Sequence, residues 1–93
     1  MGKKKPIPKK EDKFILKAGE KSIVIIAPKN MFNVVIKHDI KDEHHLWVEF
    51  KMKGDKTRKY FCALNCWATE DSVISFKLEN RCSYDINIEY YFS

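Results

Sequence analysis

Leu46-Trp47-Val48-Glu49-Phe50-Lys51-Met52-Lys53 alternates without a break, with Leu46, Val48, Phe50 and Met52 on one side and Trp47, Glu49, Lys51 and Lys53 on the other. Successive side chains of an extended strand point to opposite faces, so this segment turns one face to a core and the other to water. Downstream, Gly54-Asp55-Lys56 reads as a compact hairpin connection into a strand over Arg58 to Trp67. Phe61 and Trp67 share a side there with Ala63 and Asn65, the composition of a strand buried on both faces. A break at Thr69-Glu70-Asp71-Ser72 precedes Val73 to Asn80, where Ile74, Phe76 and Leu78 oppose Ser75, Lys77 and Glu79. The last strand sets Tyr84, Ile86, Ile88, Tyr90 and Phe92 against Asp85, Asn87, Glu89 and Tyr91.

Upstream the same period of two recurs in Met31 to Ile40, with Phe32, Val34, Ile36, His38 and Ile40 together. Ser22 to Ala27 is a continuous apolar run short enough for a strand buried on both faces, and Phe14 to Ala18 is a first strand closed at Gly19-Glu20-Lys21. Seven to eight short strands, spaced by about ten residues and with no amphipathic helical window, predict an all-β fold: a small antiparallel β-sandwich or jelly roll. Ninety-three residues leave room for one such domain, over residues 14–93.

The net charge of +5 is unevenly placed. Residues 1–13 carry +4, from Lys3, Lys4, Lys5, Lys9, Lys10 and Lys13 against Glu11 and Asp12, whereas residues 14–93 carry only +1. Pro6 and Pro8 fix φ and lack an N–H, so these thirteen residues read as an extended basic arm outside the fold. Lys3, Lys4, Lys5, Lys9 and Lys10 would attract an anionic partner or an import receptor. No apolar run reaches the roughly 18 residues of a membrane-spanning helix, and the first apolar stretch is too short and too far in for a secretory signal. The expectation is a nuclear or cytoplasmic protein that is not secreted and spans no membrane.

Three cysteines without a signal peptide point to a reducing compartment. On one extended strand Cys62 and Cys66 would lie about 13 Å apart, too far to share a zinc ion or a disulfide, so buried core thiols are expected. His38, His44 and His45 flank the acidic loop Asp39 to Glu43 and read as exposed loop histidines. No nucleophile motif and no Gly-rich phosphate loop is present, so no catalytic, cofactor or metal site is expected, and no enzyme. Trp47 and Tyr91 are the informative residues. Each places a large ring on an otherwise polar face, which predicts a covering partner or sister subunit. The same rings, with Lys51, Lys53, Lys56, Arg58 and Lys59, also have the ingredients of a nucleic-acid platform, opposed by the acidic groups among them.

Leu16-Lys17-Ala18-Gly19-Glu20-Lys21, the run to Ile40, Val48 to Gly54, Tyr60 to Asn65 and Val73 to Leu78 together resemble the nucleoplasmin-like fold of histone chaperones. The resemblance implies a non-enzymatic, ring-forming, pentameric sandwich that handles basic proteins such as histones, with the arm as a nuclear-entry signal. The chain departs from that family in lacking an acidic tract and in carrying a basic N-terminal arm. Arg58 to Asn65 followed by Val73-Ile74-Ser75-Phe76 also looks like the late strands of GOLD-type sandwiches, which would imply a cytosolic adaptor. A third expectation is a small jelly-roll viral structural subunit whose basic arm meets nucleic acid.

Overall fold

Eight strands form in the computed structural model, which describes residues 8–93: β1 (Glu11–Leu16), β2 (Ile25–Ile26), β3 (Val34–His38), β4 (Leu46–Met52), β5 (Lys56–Phe61), β6 (Ala68–Glu70), β7 (Val73–Asn80) and β8 (Ile86–Phe92). They make two four-stranded antiparallel sheets, ordered β1-β8-β3-β6 and β2-β7-β4-β5. Only the β4–β5 hairpin stays within one sheet; every other link crosses to the opposite layer. That order, two interleaved Greek keys, is the jelly roll.

Alternation explains which side chains fill the space between the sheets. Leu46, Val48 and Phe50 of β4 meet Ile86, Ile88, Tyr90 and Phe92 of β8, all buried. Phe76 sits at the centre, its ring centroid 6.0 Å from Phe50, 5.5 Å from Tyr90 and 5.8 Å from Phe92. The hairpin after β4 turns where expected, with Gly54 and Asp55 both in the left-handed region (φ 79° and 57°).

Asn80, a buried polar residue of the core, closes one end of the sandwich. Its Nδ2 donates to the carbonyls of Leu16 and Tyr84, each at 2.9 Å, and its Oδ1 accepts from the Cys82 N–H at 2.8 Å. The end of β1 and the β7–β8 turn are thereby tied to one side chain. The Tyr84 hydroxyl, accepting from the Lys41 N–H at 2.7 Å and donating to Asp42 Oδ2 at 3.1 Å, holds the β3–β4 loop against the same turn.

Several strands differ from their expected spans. β1 starts at Glu11, so Glu11, Asp12 and Lys13 pair with Tyr91, Tyr90 and Glu89 rather than belonging to the arm, and the Phe92 N–H donates to the Lys10 carbonyl at 2.7 Å. The segment Arg58 to Trp67 is not one strand. β5 ends at Phe61, the chain turns through Asn65 (φ 57°), and it re-enters the other sheet as β6 over part of the expected break. Ser22 to Ala27 is not a doubly buried strand either. Ile25 is buried and Ala27 packs partly against the core, but Ile23, Val24 and Ile26 stay exposed, because no further layer covers the outer face of β2. In β7 the expected inward Ile74 points out: Lys51 pairs with Ser75 and Met52 with Val73, so Ile74 is the extra residue of a β-bulge.

Candidate interaction surfaces

The exposed side chains concentrate apolar surface at one margin of the sandwich. Around β2, Ile23 is 76% exposed, Val24 55%, Ile26 53% and Ile74 41%, and Ile15, across the cleft on β1, is 60% exposed. A groove lined by Phe14, Ile15, Ile23 and Ile25 joins the two edge strands. Scattered exposed aliphatics are ordinary on any protein, but five gathered at one margin are not. Sequence reading missed this surface because an apolar run reads alike whether it is buried in a core or presented to a partner.

The four sheet edges are unequal. β5 carries Lys56, Arg58 and Lys59, β1 carries Glu11 and Lys13, and β6 is three residues long. Charge and shortness are the usual means by which edge strands avoid pairing with another chain. β2 is shorter still, at two residues, but the stretch Ile23 to Ile26 that contains it carries no charge and no proline.

Trp47 and Tyr91, each expected to be covered by a partner or sister subunit, lie on opposite outer faces of the sandwich, on β4 and β8 of different sheets. Both are half-buried by their own chain. Trp47 packs edge-on to Phe61, with centroids 4.8 Å apart, under the Arg81 guanidinium at 5.5 Å. Arg81 Nε in turn lies 3.2 Å from Glu79 Oε2. The Tyr91 hydroxyl donates to Glu89 Oε1 at 2.7 Å, and Lys37 Nζ lies between the rings of Tyr91 (5.2 Å) and Trp67 (4.5 Å). Trp67, expected in a buried strand, is exposed on the outer face beside β3.

The two outer faces differ in charge. Across β7, β4 and β5 the register aligns Lys77, Glu49 and Lys59, and the one carboxylate serves both lysines at 3.5 Å. Lys51 lies on the same face with no carboxylate partner among the described residues. The opposite face alternates Lys13, Glu89 and Lys37 and adds Glu11 and Asp39, which leaves it slightly negative. Lys9 and Lys10 are exposed at the entry to β1, whereas Lys3, Lys4 and Lys5 lie outside the described residues.

All three cysteines are free thiols. Cys62 and Cys82 are buried as expected; Cys66 is exposed, because the chain turns there instead of continuing as a strand. Burial among apolar groups pushes the Cys62 thiol up to about 12, which makes it a packing group rather than a nucleophile. Among the described residues no cluster of three or more His, Cys, Asp or Glu could hold a metal ion.

His44 and His45 are exposed loop residues, but His38 is not. It continues the inward side of β3 after Ile36, and neither ring nitrogen has a hydrogen-bond partner. Burial lowers its pKa below 6.5, against the opposing pull of the Cys66 main chain and the Asp39 carboxylate. A depressed folded-state value means that the unfolded chain takes up the proton first. Stability should therefore fall as pH drops below 6.5, until the native ring is itself protonated. Urea titrations at pH 8 and pH 5 should show a smaller acid loss for His38→Leu than for the wild type; equal losses would place the sensitivity elsewhere.

No family model, no curated protein and no solved structure matches this chain.

Proposed function

We propose that this protein is a non-enzymatic interaction module that self-associates through the β1/β2 margin of its jelly roll. The observation that carries the reading is the exposed cluster Ile15, Ile23, Val24, Ile26 and Ile74, gathered around β2, the edge strand that carries no charged residue. Covering such a cluster removes apolar surface from water at about 25 cal/mol per Å², and main-chain pairing along β2 would satisfy its free edge.

A second copy is the occupant that the local charges favour. If two β2 segments pair antiparallel about a two-fold axis between Val24 and Ile25, Ile23 of one copy meets Ile26 of the other. The exposed Glu20 of one copy then comes to the same end of the contact as the exposed Lys29 of the other, twice per contact. This self-complementarity is what a two-fold interface requires.

Sedimentation equilibrium at increasing concentration should give a mass above the 11.0 kDa of one chain. The double variant Ile23→Ser/Ile26→Ser should weaken association at least about tenfold while leaving the circular dichroism spectrum unchanged. A single-chain mass up to millimolar concentration would refute self-association. A mass of five chains would replace the two-fold contact with a ring of the kind that the nucleoplasmin resemblance implies. Support for histone handling is weaker, since neither outer face carries an acidic tract.

A further inference from the structure

We infer that the outer face of the β7-β4-β5 layer binds single-stranded nucleic acid, with the Trp47–Phe61 pair as its stacking end and Lys51 and Lys59 as its phosphate-binding cations. The inference goes beyond self-association and does not depend on it. Three observations converge on this face.

The first is charge. The face exposes Lys51, Lys59, Lys77 and Arg81 against Glu49 and Glu79, and the hairpin at its end adds Lys53 and Lys56 against Asp55. Because Glu49 is shared between Lys59 and Lys77, its one negative charge leaves that row net positive. Lys51 has no carboxylate partner among the described residues. The strands of the opposite face, by contrast, leave it slightly negative.

The second is the rings. Trp47 and Phe61 are cross-strand partners on this same outer face, and the Arg81 guanidinium lies over both, at 5.5 and 5.3 Å. Aromatic faces and a planar guanidinium stack on any base, whatever its sequence. The third is space. A groove of about 440 Å³ runs beside Trp47, walled by Val24 and floored by Glu49, Lys77 and Leu78. Trp47 and Lys51 are four residues apart on β4, or about 13 Å along the strand, so a chain stacked at one end passes the cations at the other.

Double-stranded nucleic acid hides its base faces, so the arrangement favours a single strand over a duplex. Acidic protein segments would use the cations and leave the rings idle, which the test separates. The probe is a fluorescein-labelled oligothymidylate of about ten nucleotides, within the ~4–16 nucleotides that comparable sheet platforms cover. It is titrated into the full chain in which Lys3, Lys4, Lys5, Lys9 and Lys10 are all changed to Gln, so that the arm cannot supply the binding.

Binding should persist in that background and fall with salt. Lys51→Ala with Lys59→Ala should reduce the slope of log K against log salt by about 1.4, since each phosphate contact on a single strand contributes roughly 0.7. Trp47→Ala should weaken binding about tenfold or more. As a check independent of that variant's folding, Trp67→Phe leaves Trp47 as the sole tryptophan, and the oligonucleotide should quench its emission. Loss of all binding in the arm-neutral protein, an unchanged slope in the lysine variant, or unquenched Trp47 emission would each overturn the inference. So would equal affinity for polyglutamate, which offers charge and no bases.

Discussion

Phe76→Ala is expected to remove a large part of the protein's stability. Phe76 is the ring on which both sheets converge, in contact with Phe50 from its own sheet and with Tyr90 and Phe92 from the other. Deleting a fully buried Phe costs about 3–5 kcal/mol, through lost transfer energy and the cavity left behind. Domains of this size are held by only about 5–15 kcal/mol in all. A loss of 3 kcal/mol corresponds to a melting temperature lower by about 12 °C or more. Urea denaturation monitored by tryptophan emission would measure it, and a loss under about 1 kcal/mol would show that Phe76 does not join the two layers.

Asn80 should matter nearly as much for the opposite reason. Replacing it by Ala orphans the Leu16 carbonyl and the Cys82 N–H, both in buried bonds, and the part-buried Tyr84 carbonyl. Each unsatisfied buried group costs about 1–3 kcal/mol, so the sum is expected at about 3 kcal/mol or more. Asn80→Asp sharpens the test. The carboxylate keeps the bond from Cys82 but loses both donated bonds and buries a charge, so at neutral pH it should be at least as damaging as Ala, and acid should partly relieve it. A variant with wild-type stability would mean that this end of the sandwich is wet.

The layered β architecture was legible because the long central strands obey strict alternation. Leu46, Val48, Phe50, Ile86, Ile88, Tyr90 and Phe92 all lie in the core where the period of two places them. What alternation cannot convey is which strand has a neighbour on each side. Ser22 to Ala27 and the stretch around Trp67 have core-like composition, yet they fall at an edge and in a turn, positions fixed by pairing with residues more than thirty positions away. The bulge that turns Ile74 outward is likewise a property of the β4–β7 register rather than of either segment alone. The interaction residues fared unevenly for the same reason. Trp47 and Tyr91 stand on outer faces as expected, but their own chain half-covers both, and the largest bare surface lies where a buried strand had been expected.

The pairing of β1 with β8 sets a condition on how the chain can be made. Glu11 finds its partner in Tyr91 and Leu16 in Ile86, so the sheet they share has no second strand for its beginning until the last stretch is synthesised. Closing so long a loop carries an entropic cost before any contact repays it, and folds dominated by distant pairings reach the native state in milliseconds to seconds rather than microseconds. While the nascent chain waits, Ile23 to Ile26 is an unshielded apolar stretch open to aggregation.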